Sequence, residues 1–326
     1  MRITDSGLTQ TYLRNLQRSQ SDLAASNLKL TSQRKYNHVS EDTGSAARAF
    51  AVRDQLAKNQ EYTNTIENAI GELDTADDNI LTISSILKNV YARVTKAAGG
   101  SMSQENLDAI AEELDGLNNE ILQTMNAKYG DKFLFSGSGN DAQPFTVGPD
   151  GKLLFNGVDV DSATADTDFN ENKVVYLDIG FGMTSDPDGI NRQTGIKIST
   201  SGIDVLGYGV DAEGQPKNIY SLISRIGSQL KDGDLEGARD SLERLKKAED
   251  GVSSATAELG TRQSILDRAK DRLEAESINL KARQKSLEGV SLEEESINNK
   301  SYEMAWMVTL QLGSSIIPPS IFDFMR

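Results

Sequence analysis

The chain has 326 residues, of which 34 are Lys or Arg and 49 are Asp or Glu, giving a formal net charge of −15 at pH 7. That balance repels phosphate backbones and anionic membranes at long range, and no Lys/Arg stripe offsets it. With no cysteine and a single histidine, the chain has no disulfide framework, thiolate metal site, thiol nucleophile or two-histidine metal motif. No window approaches the ~18–20 consecutive apolar residues of a membrane-spanning helix. The first six residues lack the cationic stretch and apolar run of a secretory signal, which predicts either a cytosolic protein or one that leaves the cell without a cleaved signal.

At the N-terminal end Leu16, Leu23 and Leu30 keep a seven-residue step, which predicts a weakly amphipathic helix over about 8–32. A far stronger repeat follows. Ile66, Leu73, Ile80, Leu87 and Val94 fall seven apart, and three residues after each come Ala69, Ala76, Ile83, Val90 and Ala97. Both rows of this seam are wholly apolar, the pattern that lets one helix face bury continuously against another. Gly99 and Gly100 break the helix, and Ser101 with Gln104 resembles a capping box opening the next one. Leu107, Ile110, Leu114, Leu117 and Ile121 continue the helical spacing, so an antiparallel hairpin of two helices is expected.

Over residues 132–212 the composition shifts to Gly, Asp, Ser and Thr, with short β-type runs at 133–135, 153–155, 174–177 and 196–198. Turn signals such as Pro149-Asp150-Gly151, Asn156-Gly157 and Asp188-Gly189 separate them. The reading is a small β domain inserted between two helical segments that meet in space, with its own strands and turns and therefore removable. Beyond it Ala238, Leu245, Val252, Leu259, Leu266, Leu273, Leu280 and Leu287 recur every seventh residue, while the companion row mixes Ala255 and Ala269 with Arg262, Glu276 and Arg283. One helix over 235–290 would be on the order of 80 Å long at ~1.5 Å per residue, so an elongated rod is expected.

The sequence offers no team of residues for catalysis. The glycine pairs at 180–182 and 207–209 do not join a strand to a helix as a nucleotide loop requires, and they read as turn glycines. Asp74, Asp77, Asp78 and Glu293–Glu295 lack the spacing of a calcium loop and read as solvated helix faces. Gly137-Ser138-Gly139 has no histidine partner, since His38 reads as a surface or loop residue. No catalytic, cofactor-binding or metal residue is assigned, and no enzyme activity is expected. The C-terminal end is unusual in another way, for Met304, Trp306, Leu310, Ile316, Ile317, Phe322 and Phe324 make it apolar where chain ends are commonly polar. With Leu13, Leu16, Leu23 and Leu30 they are read as an interface that other subunits cover.

Several segments together resemble the flagellin-like axial proteins of the bacterial flagellum. Residues 1–6 and Asn15-Leu16-Gln17-Arg18-Ser19 are similar to the family's opening, and residues 40–46 to its Ser-Asp-Asp-Pro-Ala stretch, with Glu41 in place of an Asp and Thr43-Gly44 where Pro-Ala would stand. Residues 126–138 followed by Pro144-Phe145 resemble the family's entry into its middle domain, and this motif points within the family to the proteins at the hook–filament junction rather than to flagellin. Residues 257–263, Leu287-Glu288 and the ending 320–326 resemble the C-terminal helix and tail. The resemblance implies a mainly α protein with an inserted β domain, an antiparallel coiled-coil-like bundle of both chain halves and an inner layer of terminal helices.

The segments expected are 1–40 as an N-terminal assembly helix, 41–135 and 213–285 as the two halves of the bundle, 136–212 as the β insertion, and 286–326 as a C-terminal assembly helix and tail. The bundle seam is assigned to Ile66, Leu73, Ile80, Ile83, Leu87, Val90, Val94, Leu245, Val252, Leu259 and Leu266. The resemblance further implies a structural subunit in a ring of its own copies, bound to hook-associated protein 1 and to flagellin, served by an export chaperone and exported unfolded to the extracellular flagellum. The alternatives are flagellin itself, or an adhesin or enzyme carried on the insertion. The row of apolar residues shared by the two ends is sparse, which predicts that the ends order only in the assembled tube.

Overall fold

The structure, a computed structural model, describes residues 5–99, 102–138, 142–165, 168–169, 174–180, 182–186, 189–190 and 195–316. In chain order these form α1 (Asp5–Ser32), α2 (Thr43–Ala97), α3 (Gln104–Met125), β1 (Lys128–Tyr129), β2 (Lys132–Phe133), β3 (Phe145–Val147), β4 (Leu153–Phe155) and β5 (Val158–Asp159). There follow β6 (Tyr176–Asp178), β7 (Ser185–Asp186), β8 (Gly189–Ile190), β9 (Gly195–Lys197), α4 (Gly202–Leu206), α5 (Ile219–Lys231), α6 (Leu235–Glu288) and α7 (Leu292–Ile316). The chain divides into two compact units, one of residues 1–60 with 275–326 and one of residues 61–274. The long helices α2 and α6 contribute residues to both.

The second unit is built on the seam. Ile66, Leu73, Ile80, Ile83, Leu87, Val90 and Val94 on α2 and Leu245, Val252, Leu259 and Leu266 on α6 are all buried. Polar contacts along the flanks fix how the two helices run: Lys270 pairs with Glu67 at 2.9 Å, Gln263 donates to Asp74, and Arg239 donates to the Ala98 carbonyl. From 67 to 74 to 98 on α2, the partners step back from 270 to 263 to 239 on α6 by the same intervals. The pair is antiparallel and keeps one register throughout, as an uninterrupted heptad row on each side requires. The 55 residues of α2 form one helix because its seam is apolar and its interior holds no proline.

α3 folds back on α2, with Arg93 and Glu113 paired at 2.8 Å. Its start differs from the expected capping box. Ser103 occupies the N-cap without a side-chain cap bond, and Ser101 lies outside the described residues. The Gln104 amide reaches forward to Asp108 and across to the Leu230 and Lys231 carbonyls. Those carbonyls end α5, a helix that heptad counting on the longer segments passes over. α5 is strongly amphipathic, burying Ile219, Leu222, Ile223, Ile226 and Leu230, and the Asn218 side chain caps it by accepting from the Tyr220 and Ser221 amides. It runs antiparallel to α3, with Lys231 on Asp115 at 3.0 Å at one end and Asn118 donating to the Tyr220 carbonyl at the other.

The β segments are small: a β1–β2 hairpin, a three-stranded antiparallel β3–β4–β5 sheet, and the antiparallel pairs β6–β9 and β7–β8. Phe145, Phe155, Phe169 and Tyr208 stack in sequence with ring centroids 4.9, 5.5 and 5.7 Å apart. This aromatic row is continuous with the helical core. Phe145, Leu153, Phe155, Val160 and Ile196 belong to the same buried cluster as the α2, α3, α5 and α6 side chains. The joint is tight: Asn126 exchanges two hydrogen bonds with the Phe145 backbone, and any side chain at Gly202 would strike Phe145 and Met125. Against the expectation of a removable insertion, the β region and the helices complete one core.

One residue of the polar companion row of α6, with a neighbouring arginine, acquires a purpose here. Arg262 is buried, pairs with Glu258 and donates to the Ser199 carbonyl at 3.2 Å, while Arg272 donates to the Ile179 carbonyl. Each supplies a donor to a carbonyl next to a strand of the β region. Among the described residues no helix is long and apolar enough to cross a membrane, and no group of three His, Cys, Asp or Glu converges on a metal position.

Replacing both Ile80 and Ile83 by Asp places two unpartnered charges in the seam and is expected to cost more than about 4 kcal/mol, read by thermal or denaturant unfolding. A milder test concerns Asp77, whose pKa burial pushes up, reinforced by Asp78 and Asp74, and whose Oδ1 is buried with no hydrogen-bond partner among the described residues. A carboxyl with a raised folded pKa destabilises the fold when ionised, and that penalty fades as pH falls from the folded pKa to the ordinary carboxylate value. Asp77→Asn should therefore raise Tm at neutral pH, with the gain shrinking in acid.

Candidate functional site: the paired end helices

The first unit pairs α1 with α7. Ser26 Oγ donates to Glu295 Oε1 at 2.7 Å, and the Asn299 amide donates to Ser26 Oγ at 3.2 Å and to Asn27 Oδ1 at 2.8 Å. At the far end Gly313 lies against the buried Tyr12, so close that a Cβ at Gly313 would overlap the tyrosine ring and hydroxyl. Contacts at 26–295 and 12–313 set the helices antiparallel. Leu16, Leu23, Leu30 and Trp306 are half-buried between or beside them.

The expected leucine row is too sparse to hold this pair alone, and the structure places polar and small residues in the gap. Ser26 and Glu295 are both buried, and a buried polar layer in a helix pair fixes register because slipping by a turn leaves a carboxylate unpartnered. Gly313 lets the helices approach where Tyr12 needs room. Sequence reading passed over Tyr12, Ser26, Asn27, Asn299 and Gly313, and it took Glu295 for part of a solvated helix face, which its burial against Ser26 corrects. The available signal was small and polar residues interrupting two weakly apolar helices that have to meet.

Outward, the pair carries many large apolar side chains. Leu8, Leu13 and Leu28 on α1 and Leu292, Ile297, Met304, Met307, Val308, Leu310 and Leu312 on α7 are exposed, with Ile297 71 % and Met304 58 % accessible. Ile297, Met304, Val308 and Leu312 follow one another at steps of seven, four and four, so they share one helix face. Of the residues assigned to an interface, Leu13, Met304 and Leu310 are exposed, Ile316 is the last residue of α7, and Ile317, Phe322 and Phe324 lie outside the described residues. Large apolar side chains exposed in this number exceed the singly scattered ones of an ordinary protein surface. Charges sit among them as local pairs, such as Lys300 with Glu303 at 2.8 Å, whose carboxylate holds the ammonium above the usual lysine pKa.

Residues 3–140 match the family model of the bacterial flagellin N-terminal helical region. The chain is 20 % identical over 278 residues to flagellar hook-associated protein 3 of Escherichia coli, a match covering 82 % of this chain and 81 % of that protein. In fold it is similar to a chain described as a flagellar hook-associated protein from Vibrio parahaemolyticus, with a TM-score of 0.60 and 16 % identity over 76 % of this chain and 100 % of that one. The FlgL protein of Bacillus cereus gives a TM-score of 0.52 and 17 % identity over 72 % of this chain and 99 % of that one.

A long antiparallel bundle with paired end helices and a small β region is the architecture of the flagellin-like axial proteins, which are structural and non-enzymatic. In sequence the chain is similar to flagellar hook-associated protein 3, and in fold to solved flagellar hook-associated proteins.

Gly313→Leu is expected to drive α7 off Tyr12 and lower the stability of the α1–α7 pair while leaving the unfolding of the 61–274 unit unchanged. Hydrogen exchange resolved by segment reads both outcomes, and Tyr12→Ala should partly restore protection by making room for the leucine.

Proposed function

We propose that the chain forms the junction between the flagellar hook and the flagellin filament, as a ring of its own copies contacting hook-associated protein 1 on one side and flagellin on the other. The observation that carries the reading is the set of large apolar side chains left exposed on both helices of one antiparallel pair. Apolar area of this kind is stabilised only when covered, at roughly 25 cal/mol per Å² removed from water. Neighbouring copies and the flanking subunits are the covering surfaces. The relative's name, hook-associated protein 3, supports this placement over filament formation by the chain alone.

The same surface requires protection before assembly. An export chaperone shielding α1 and α7, and passage of the unfolded chain to the extracellular flagellum, fit a protein with no cysteine to cross-link on the way. The seam residues hold the subunit's shape, and Leu13, Leu16, Leu23, Leu30, Met304, Trp306, Leu310, Ile316, Ile317, Phe322 and Phe324 belong to the assembly surface.

Electron microscopy of flagella from a strain lacking the protein should show hooks without attached filaments. Removing residues 305–326 should leave the Tm of the 61–274 unit within about 2 °C of the full chain, since ~1 kcal/mol shifts a domain of this size by 2–4 °C, while abolishing filament attachment. Normal attachment by the truncated chain would reject the end helices as the assembly surface, and long filaments formed by the purified protein alone would assign it to flagellin instead.

A further inference from the structure

The passages from α1 to α2 and from α6 to α7 meet in the first unit. Arg34 and Gly289 form an isolated antiparallel bridge, the Lys35 amide donates to the Glu288 carbonyl at 2.7 Å, and the Val290 amide donates to the Gln33 carbonyl at 3.2 Å. Gln33 adopts φ +58°, a left-handed conformation that costs a residue with a Cβ about 1 kcal/mol. The Glu288 side chain is 8 % exposed and pairs with Arg53 of α2 at 2.6 Å. Arg53 also lies over the Phe50 ring, 5.5 Å from its centroid.

The packing behind this crossing is incomplete. A cleft of about 80 Å³ is lined by Tyr36, Ala46, Ala49, Phe50, Arg53 and Glu288. The Tyr36 hydroxyl oxygen is buried there without a hydrogen-bond partner among the described residues. The crossing is thus closed by one ion pair and a two-bond backbone bridge, over space that no side chain fills, with a strained residue in the bridge. A buried carboxylate with one cationic partner is strongly destabilised when that partner leaves. Few bonds beside an unfilled cleft give this crossing little that holds it rigid.

We propose that the Glu288–Arg53 pair is a latch: it holds the α1–α7 pair at one angle to the adjoining start of α2 and end of α6, and its release frees the pair to swing. The structural part stands on the geometry above. Its purpose, to hold the free subunit closed until neighbouring copies cover the apolar rows and favour the second angle, rests on the assembly reading. A ligand shifts such an equilibrium only through its different affinity for the two states, and apolar rows whose accessibility changes with the angle supply that difference.

The chain has no cysteine, so spin labels can be placed at Gln20→Cys on α1 and Gln55→Cys on α2, both exposed positions of the first unit, in the full-length protein. Pulsed dipolar spectroscopy should give one narrow distance distribution. Glu288→Gln and Arg53→Gln should each broaden or shift it in the same sense, and the double variant should move it no further than either single one. Unchanged distributions in both single variants would overturn the latch. Circular dichroism checks that helix content persists. Should the neutral variants unfold, Arg53→Lys, which keeps the charge but not the guanidinium geometry, must broaden or shift the distribution relative to the unsubstituted chain, and an unchanged distribution again overturns the latch. Filament attachment by the same variants is read separately. Shifted distances with normal attachment leave the latch standing and remove its assembly purpose, whereas lost attachment with unmoved labels rejects the latch and leaves the assembly reading intact.

Discussion

The fixed register between α2 and α6 is the constraint on which the 61–274 unit depends. Two apolar rows on α2 meet one leucine-rich row on α6, and because each row repeats every seven residues, the only slips that keep it buried are whole heptads. The flanking contacts of Lys270 with Glu67, Gln263 with Asp74 and Arg239 with the Ala98 carbonyl are written for one of those registers. Exposed ion pairs contribute little energy. Their weight here is in choosing among alignments that burial alone makes nearly equal.

That choice sets where the β segments attach. Arg262 and Arg272 face the Ser199 and Ile179 carbonyls in this alignment, and a displaced α6 would take both donors away from them. Asn126, Gly202 and Phe145 close the same joint from the α3 side. A region that reads along the chain as a separate insertion is therefore a wall of the helical core, and its aromatic row takes part in the same burial as the α5 side chains.

The end helices obey a different balance. α1 and α7 touch through a polar layer and a glycine–tyrosine contact and leave many large apolar side chains outside. A helix pair with its best apolar surface turned outward keeps little to stabilise itself. This balance separates a unit whose apolar side chains stabilise it from one that leaves many of them exposed. The Glu288–Arg53 crossing lies where these helices join the long ones, closed by few bonds over unfilled space.

The sequence by itself determined the helices and the seam, because a seven-residue apolar period over α2 and α6 admits one reading and gives Ile66, Leu73, Ile80 and Leu266 the same fate wherever the partner lies. It also marked the apolar chain ends, since composition alone records Met304 and Leu310, and it excluded thiol and two-histidine chemistry by what the chain lacks. α5 escaped notice because 13 residues offer less than two full heptads. Only the tertiary structure decided which side chains hold the ends together. Ser26, Glu295 and Asn299 lie about 270 residues apart along the chain, at differences of 269 and 273, and carry no period of their own. The buried Arg262 likewise reads as a solvated position until the Ser199 carbonyl is placed beside it. Periodicity reports the face a helix buries, whereas a hydrogen bond between distant residues needs both partners positioned in space before either has a meaning.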